Sequence, residues 1–367
     1  MYRFIIFIII NILFESLNVC NAGQQPQTLD LSEGPRQGLM DAATIAAQTQ
    51  LGVSSNNVNK LAMIYLFSNP HSGRMNFLRA SIGLCSENLF PTTPTIVYVF
   101  TQPHQVETMK LELGKWLLPN VLVVPITNDS WQMHPSSREE RSWHGKRWYS
   151  SDYRIMGNWR LSYMPAFARD MGHRYMLQID DDSFILSPVG FNLVEAFDRH
   201  GYLMAARNIM TDHPYVTWGL PELARYYLVT HKLVPATLFE HCNPPNLTGL
   251  YSQFSDKQML DELSPEEVHA LEELKLPSEG GWDMTILYGN CVMWSLNWWF
   301  QPEVNHFVQL AIASGSTVRE RWIDQAVIAM IWQMFVRKDQ FLQFNFTYEH
   351  TKDPRIPNEF LSKHNRL

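Results

Sequence analysis

Three consecutive carboxylates, Asp180-Asp181-Asp182, end an apolar run from Tyr175 to Ile179 that has the pattern of a buried strand. Like charges this close repel one another, so a cation is the natural compensation, and an oxygen-rich cluster suits a hard ion such as Mn²⁺ or Mg²⁺. Diphosphates bind the same ions. The triplet therefore reads as a metal bridge to a nucleotide-sugar diphosphate, against the plain alternative of a solvated acidic turn.

The elements that must position the triplet bear on that choice. Strand patterns run over Lys60 to Phe67, Thr95 to Phe100, Val121 to Pro125 and Tyr175 to Ile179, with helical patterns over Met75 to Leu84, Gln105 to Trp116 and Met156 to Asp170 between them. Such alternation implies a mostly parallel α/β sheet covered on both faces. The triplet then falls at the carboxyl end of a parallel strand, where open α/β sheets bind their ligands. A second lobe is expected beyond about Tyr202, with helices over Pro221 to Leu228 and Gln258 to Leu274. The aromatic stretch Trp282 to Trp299 is expected to be core more than a platform for sugar stacking.

The chain has 367 residues, of which 46% are hydrophobic and 13% aromatic, enough for one large core or two fused lobes. Its net charge of -7, without long basic runs, argues against a nucleic-acid partner. No EF-hand loop, P-loop, Gly-x-Ser-x-Gly, His-Glu-x-x-His or Cys-pair zinc pattern occurs. Residues 1–22 have the pattern of a signal peptide cleaved near Ala22; left uncleaved they are a short anchor, the sole expected tie to a membrane. Residues 23–59 form a polar stem or linker. Sequons at Asn128, Asn246 and Asn345 fit the secretory pathway, and Cys85, Cys242 and Cys291 allow at most one disulfide after cleavage.

Four stretches, Tyr153-Arg154-Ile155-Met156, Gln178 to Asp182, Tyr288-Gly289-Asn290 and Glu320-Arg321-Trp322-Ile323-Asp324, occur in an order and spacing that resembles one family. That family is the fungal Golgi α-1,2-mannosyltransferases, glycosyltransferase family 15, and the resemblance spans roughly residues 60–352. It implies a GT-A-like doubly wound sheet with a fused acceptor-binding lobe. The nucleotide-binding part would cover about 60–201, the acceptor part about 202–352, and 353–367 would be a C-terminal tail. It further implies GDP-mannose as donor, Mn²⁺ with Mg²⁺ as second choice, a mannose-bearing glycan or glycoprotein acceptor, retention at the anomeric carbon, and a Golgi lumenal setting.

Carried over residue by residue, the resemblance makes Asp182 and His350 metal ligands, with a surface histidine as the bland reading of His350. Asp180, Arg154, Arg321, Trp322 and Asn290 would bind substrate, the arginines otherwise making ordinary salt bridges. Tyr153, Asp324 and Asp212 would be catalytic, Asp324 serving otherwise as a helix N-cap. The family's Glu-Pro-Asp falls on Asp180-Asp181-Asp182, and shortening Glu to Asp draws that carboxylate back by about one bond. The family glutamate considered as a nucleophile falls on Val292, which cannot attack an anomeric carbon, so front-face displacement is the expected route. The competing expectations are a non-catalytic carbohydrate-binding relative and the same chemistry on another nucleotide sugar, such as GDP-fucose, UDP-galactose or UDP-xylose.

Overall fold

The computed structural model describes residues 57–67, 72–114, 119–137, 149–212, 216–217, 219–242 and 281–364. Strand β1 (Leu61–Leu66) leads through helix α1 (Ser72–Asn88) to β2 (Thr95–Thr101), and α2 (Val106–Gly114) leads to β3 (Val121–Pro125). The three strands are parallel, with Leu61 opposite Thr95 and Val97 opposite Val121. All of β2 and nearly all of β1 is buried, as expected of strands covered on both faces. Two helices, α3 (Ser151–Leu161) and α4 (Tyr163–Asp170), then deliver β4 (Tyr175–Ile179) parallel to β1. The sequence pattern predicts one helix here; Pro165 lacks an amide hydrogen and its ring crowds the Leu161 carbonyl, so the helix stops and restarts with Pro165 in its first turn.

The later chain joins the same sheet. Strands β6 (Met204–Ala206), β9 (Cys291–Ser295) and β10 (Phe341–Gln343) give the order β10-β6-β9-β4-β1-β2-β3, with β9 antiparallel to both β4 and β6. The expected division near Tyr202 therefore runs through one sheet, and residues on both sides of it build the edge that follows β4. Side chains alternate faces. Ala62, Tyr98, Phe100, Met176, Val292 and Trp294 share one core, and Met63, Tyr65, Val97, Leu177 and Met293 share the other. Trp282, Trp294 and Trp299 are fully buried and Trp298 nearly so, as their expected core role requires.

The segment expected as a C-terminal tail forms helix α11 (Arg355–Lys363), with Phe360 and Leu361 buried. It docks on α1, where a side chain at Gly83 would strike the Phe360 ring. The cysteines Cys85, Cys242 and Cys291 are free and buried. The N-terminal segment, the helix expected at Gln258 to Leu274 and the sequon at Asn246 lie outside the described residues. Among those described, no helix is long and apolar enough to cross a membrane.

One buried group makes the core acid-sensitive. His173, 3% exposed, stands 2.8 Å from the Lys60 carbonyl through Nδ1 and 2.9 Å from the Tyr98 hydroxyl through Nε2. Burial pushes its pKa from 6.5 down to about 4. The unfolded chain thus takes up a proton that the folded chain refuses, so stability is lost as pH falls from 6.5 to about 4, by on the order of 3 kcal/mol. Urea midpoints measured across that window should show the loss in the native chain and a flatter profile in His173→Asn.

Candidate active site and metal centre

β4 carries the acidic triplet out of the sheet, and β5 (Ser183–Ile185) follows at once. β5 pairs antiparallel with β11 (Tyr348–His350), and the register sets His350 opposite Ser183. That pairing brings His350 against Asp182, with Nε2 3.1 Å from Oδ1. The Thr351 amide donates to the Asp182 carbonyl at 3.1 Å and fixes the approach. One ligand atom each from Asp180, Asp182 and His350 lie within 4.8 Å of one another. Two carboxylate oxygens and an imidazole nitrogen fit a divalent ion such as Mn²⁺. The Tyr288 and His350 rings meet edge to face at 5.3 Å, which restricts the imidazole.

Arg74, at the start of α1, organises the triplet from the other side. Its Nη1 donates to Asp182 Oδ2 at 2.9 Å, and its Nη2 donates to Asp181 Oδ1 at 2.7 Å. Asp181 is held in the fold by this pair and stands outside the cluster that Asp180 and Asp182 form with His350. Burial works to raise the Asp182 pKa, but His350 and Arg74 outweigh it and hold the carboxyl below its usual range. At His350 burial works to lower the pKa, and the Asp182 contact outweighs it and raises it. Asp182 is therefore ionised at neutral pH.

A second carboxylate comes from a distant part of the chain. Asp324 lies in the first turn of α10 (Ile323–Phe335), buried to 1% exposure. Its Oδ2 accepts from Gln178 Nε2 at 2.9 Å and from Arg160 Nη1 at 3.3 Å. The other arm of Arg160, Nη2, donates to Asp180 Oδ1 at 2.7 Å, so one guanidinium spans both carboxylates. The position before α10 that would cap it is held by Trp322, without a side-chain cap; Asp324 is inside the helix and meets the positive end of its dipole. Arg321 and Ile323 both take left-handed backbone conformations, φ 60° and 44°. For the β-branched Ile323 this is strained, at a cost of order 1–3 kcal/mol, and it aims the start of α10 at the cleft.

That aim depends on Gly157. A Cβ there would stand 2.6 Å from Ile323 Cα and 3.0 Å from the Asp324 amide nitrogen, both backbone atoms that cannot swing aside. Gly157→Ala is expected to lower stability by about 1–3 kcal/mol and to displace Asp324. Thermal unfolding measures the first effect, and ligand turnover at a temperature where the variant stays folded measures the second.

The other expected site residues divide in two groups. Tyr153 sits in the first turn of α3, stacked on Tyr149 at 4.9 Å; burial raises its pKa, Arg321 draws it down and Asp324 pushes it up. Arg321 lies 3.8 Å over the Tyr149 ring and walls the same side. Asp212, just after β7 (Ile209–Thr211), accepts from Gln325 Nε2 at 3.0 Å and is thereby tied to the residue following Asp324. Contacts thus connect these three residues to the surroundings of Asp324, which Arg160 joins to Asp180.

Arg154, Trp322 and Asn290 do not offer their side chains to a substrate. Arg154 is fully buried and donates to the Val318 and Arg319 carbonyls, because one step along a helix turns it about 100° away from Tyr153. Trp322, 2% exposed, belongs to the main core, where its ring fills the space beside Gly219. The Asn290 side chain is buried; the residue serves the site through its carbonyl, which accepts from the Asp180 amide at 3.2 Å and from Ser183 Oγ at 3.2 Å. Val292 lies opposite Gln178 on β9, sealed in the core.

Sequence reasoning missed Arg74, Arg160, Gln178 and Gln325. Arg160 carried a signal: it follows Tyr153 by seven residues, two helical turns, and so shares its face. Gln178 is the polar residue in an otherwise apolar strand, where only a buried partner would keep it.

The seven-stranded sheet, with one antiparallel strand beside the acidic turn, defines the GT-A class of glycosyltransferase folds. Within that class the chain is similar to the mannosyltransferase Ktr4p from S. cerevisiae, at TM-score 0.62 and 13% identity over 89% of this chain and 82% of that one. It is similar also to core-mannan synthase A (CmsA/Ktr4) from Aspergillus fumigatus in its Mn/GDP form, at TM-score 0.62 and 12% identity over 86% and 87% of the two chains. A structure of the S. cerevisiae protein in complex with GDP matches at TM-score 0.61 and 12% identity, over 87% of this chain and 83% of that one. No protein-family model matches the sequence. No curated protein matches it either. The resemblance to the fungal α-1,2-mannosyltransferases thus agrees with the fold.

Proposed function

We propose that the protein is a metal-dependent retaining glycosyltransferase that moves mannose from GDP-mannose to a mannose-bearing glycan or glycoprotein, in α-1,2 linkage. The observation that carries this reading is the convergence of Asp180, Asp182 and His350 within 4.8 Å at the carboxyl end of β4, joined to Asp324 through Arg160. A solvated acidic turn would have no reason to recruit a histidine from residue 350. The A. fumigatus neighbour of the same fold is in a Mn/GDP form, which supports the donor and the ion.

Asp182 and His350 would hold the ion, with Asp180 beside them. A divalent ion bound there supplies the positive charge that neutralises a leaving diphosphate. Asp324 and Tyr153 flank the sugar side, where a carboxylate and a phenol orient hydroxyls through hydrogen bonds. Asp212, clipped to Gln325, would sit toward the acceptor. A covalent glycosyl-enzyme through residue 292 is ruled out by the valine, and front-face displacement needs no carboxylate there.

The test is binding of GDP-mannose, followed by tryptophan fluorescence with and without Mn²⁺, beside GDP-fucose, UDP-galactose and UDP-xylose. Mn²⁺-dependent binding selective for GDP-mannose supports the reading; preference for a UDP-sugar reassigns the donor. The secretory and Golgi setting belongs to the same proposal. Asn128 and Asn345, both exposed, are then expected to carry glycans, seen as a mass loss on treatment with a peptide N-glycosidase.

A further inference from the structure

The fork made by Arg160 sits inside the site and joins two carboxylates that come from separate elements. Arg160 is only 8% exposed, and its two terminal nitrogens reach Asp180 Oδ1 at 2.7 Å and Asp324 Oδ2 at 3.3 Å. The same Asp180 contributes a ligand atom to the cluster with Asp182 and His350. A carboxylate already holding a guanidinium shares its charge, so a cation in the cluster and Arg160 draw on one group. At the other end, Arg160 and Gln178 converge on one oxygen of Asp324 and leave little freedom to its carboxylate.

We propose that Arg160 is a positioning residue that competes with the divalent ion for Asp180 while holding Asp324 in its working orientation. This rests on the metal-dependent reading above. Arg160 keeps the ion weaker than the bare carboxylates would, and it makes the nucleotide side and the sugar side of the cleft one rigid unit. An arginine serving the fold alone would, when removed, weaken ion binding and turnover together. The fork predicts that they move in opposite directions.

The experiment uses the full chain and two variants, Arg160→Met and Arg160→Lys. Mn²⁺ affinity is read from the electron paramagnetic resonance signal of free Mn²⁺, and turnover from mannose transfer out of GDP-mannose. In Arg160→Met the Mn²⁺ dissociation constant should fall about tenfold, since a unit positive charge a few ångströms away is removed, while turnover should fall about a hundredfold from the released Asp324. Arg160→Lys keeps the charge but not the fork, so its Mn²⁺ affinity should stay near native while turnover falls by at least about tenfold. Unchanged or weakened Mn²⁺ binding in a folded Arg160→Met overturns the competition. Should that variant not fold, a fully active Arg160→Lys overturns the role of the fork. A native chain that binds no Mn²⁺ refutes the metal reading itself, and the competition with it, whereas the ratio of variant to native tests Arg160.

Discussion

Asp182→Asn abolishes Mn²⁺ binding and lowers metal-dependent transfer about a thousandfold, with the fold kept at a modest loss of thermal stability. Asp182 is the hub of the candidate metal centre: Oδ1 meets His350 Nε2 at 3.1 Å and Oδ2 accepts from Arg74 at 2.9 Å. An amide keeps the shape but presents one neutral oxygen in place of two anionic ones, a poor exchange for a hard cation. The loss of several kcal/mol of charge stabilisation at the leaving group corresponds to about three powers of ten in rate. The fold should survive because Arg74 still holds Asp181 at 2.7 Å and β5 still pairs with β11. Melting curves, Mn²⁺ titration and turnover on one preparation separate these effects, and a variant that binds Mn²⁺ as the native chain does would remove Asp182 from the centre.

Asp324→Asn gives the second large effect, a fall in turnover of about a hundredfold or more with GDP and Mn²⁺ binding kept within a few-fold of native. Asp324 is not among the three clustered ligands, and it lies on the far side of the Arg160 fork. Its Oδ2 takes two donors, Arg160 and Gln178, so the amide must turn its oxygen to them and its NH₂ toward the cleft. That reverses the polarity presented to substrate hydroxyls and leaves Arg160 short of a full negative partner. Removing a charged partner from a buried hydrogen bond costs about 1–3 kcal/mol, so a modest loss of stability accompanies the larger loss of turnover. Equal losses in GDP binding and in turnover would place Asp324 on the nucleotide side instead.

The parallel half of the fold was legible because its strands are short apolar runs separated by helical patterns, and β1, β2, β3 and β4 all fall within a residue or two of their expected spans. The antiparallel β9 was hidden in the aromatic stretch from Trp282, where burial on both faces erases any alternation. Helix α11 was missed because its apolar face is short, Ile356 and Pro357 followed one turn later by Phe360 and Leu361.

In the site, residue chemistry was readable where the sequence concentrates charge, as in Asp180 to Asp182, and orientation was not. Tyr153 and Arg154 are neighbours in sequence but lie on different faces of α3, and Arg321 and Trp322 part in the same way, one onto the Tyr149 ring and one into the core. His350 reaches Asp182 through the pairing of β5 with β11, a contact between residues 168 positions apart that no local pattern encodes. The network through Arg74, Arg160 and Gln178 has the same character: each is a single polar residue whose partners come from another element.

The central claim is that this cleft transfers mannose with the help of a divalent ion. The direct measurement is product formation by the purified full chain from GDP-mannose and α-methyl mannoside, with Mn²⁺ and with a chelator in its place. A mannosylated, α-linked product that forms with Mn²⁺, disappears with chelator and is lost in Asp182→Asn is the predicted result. Product formed equally well in the presence of chelator, or no product from any of the four nucleotide sugars while the chain binds mannosides without metal, would contradict it.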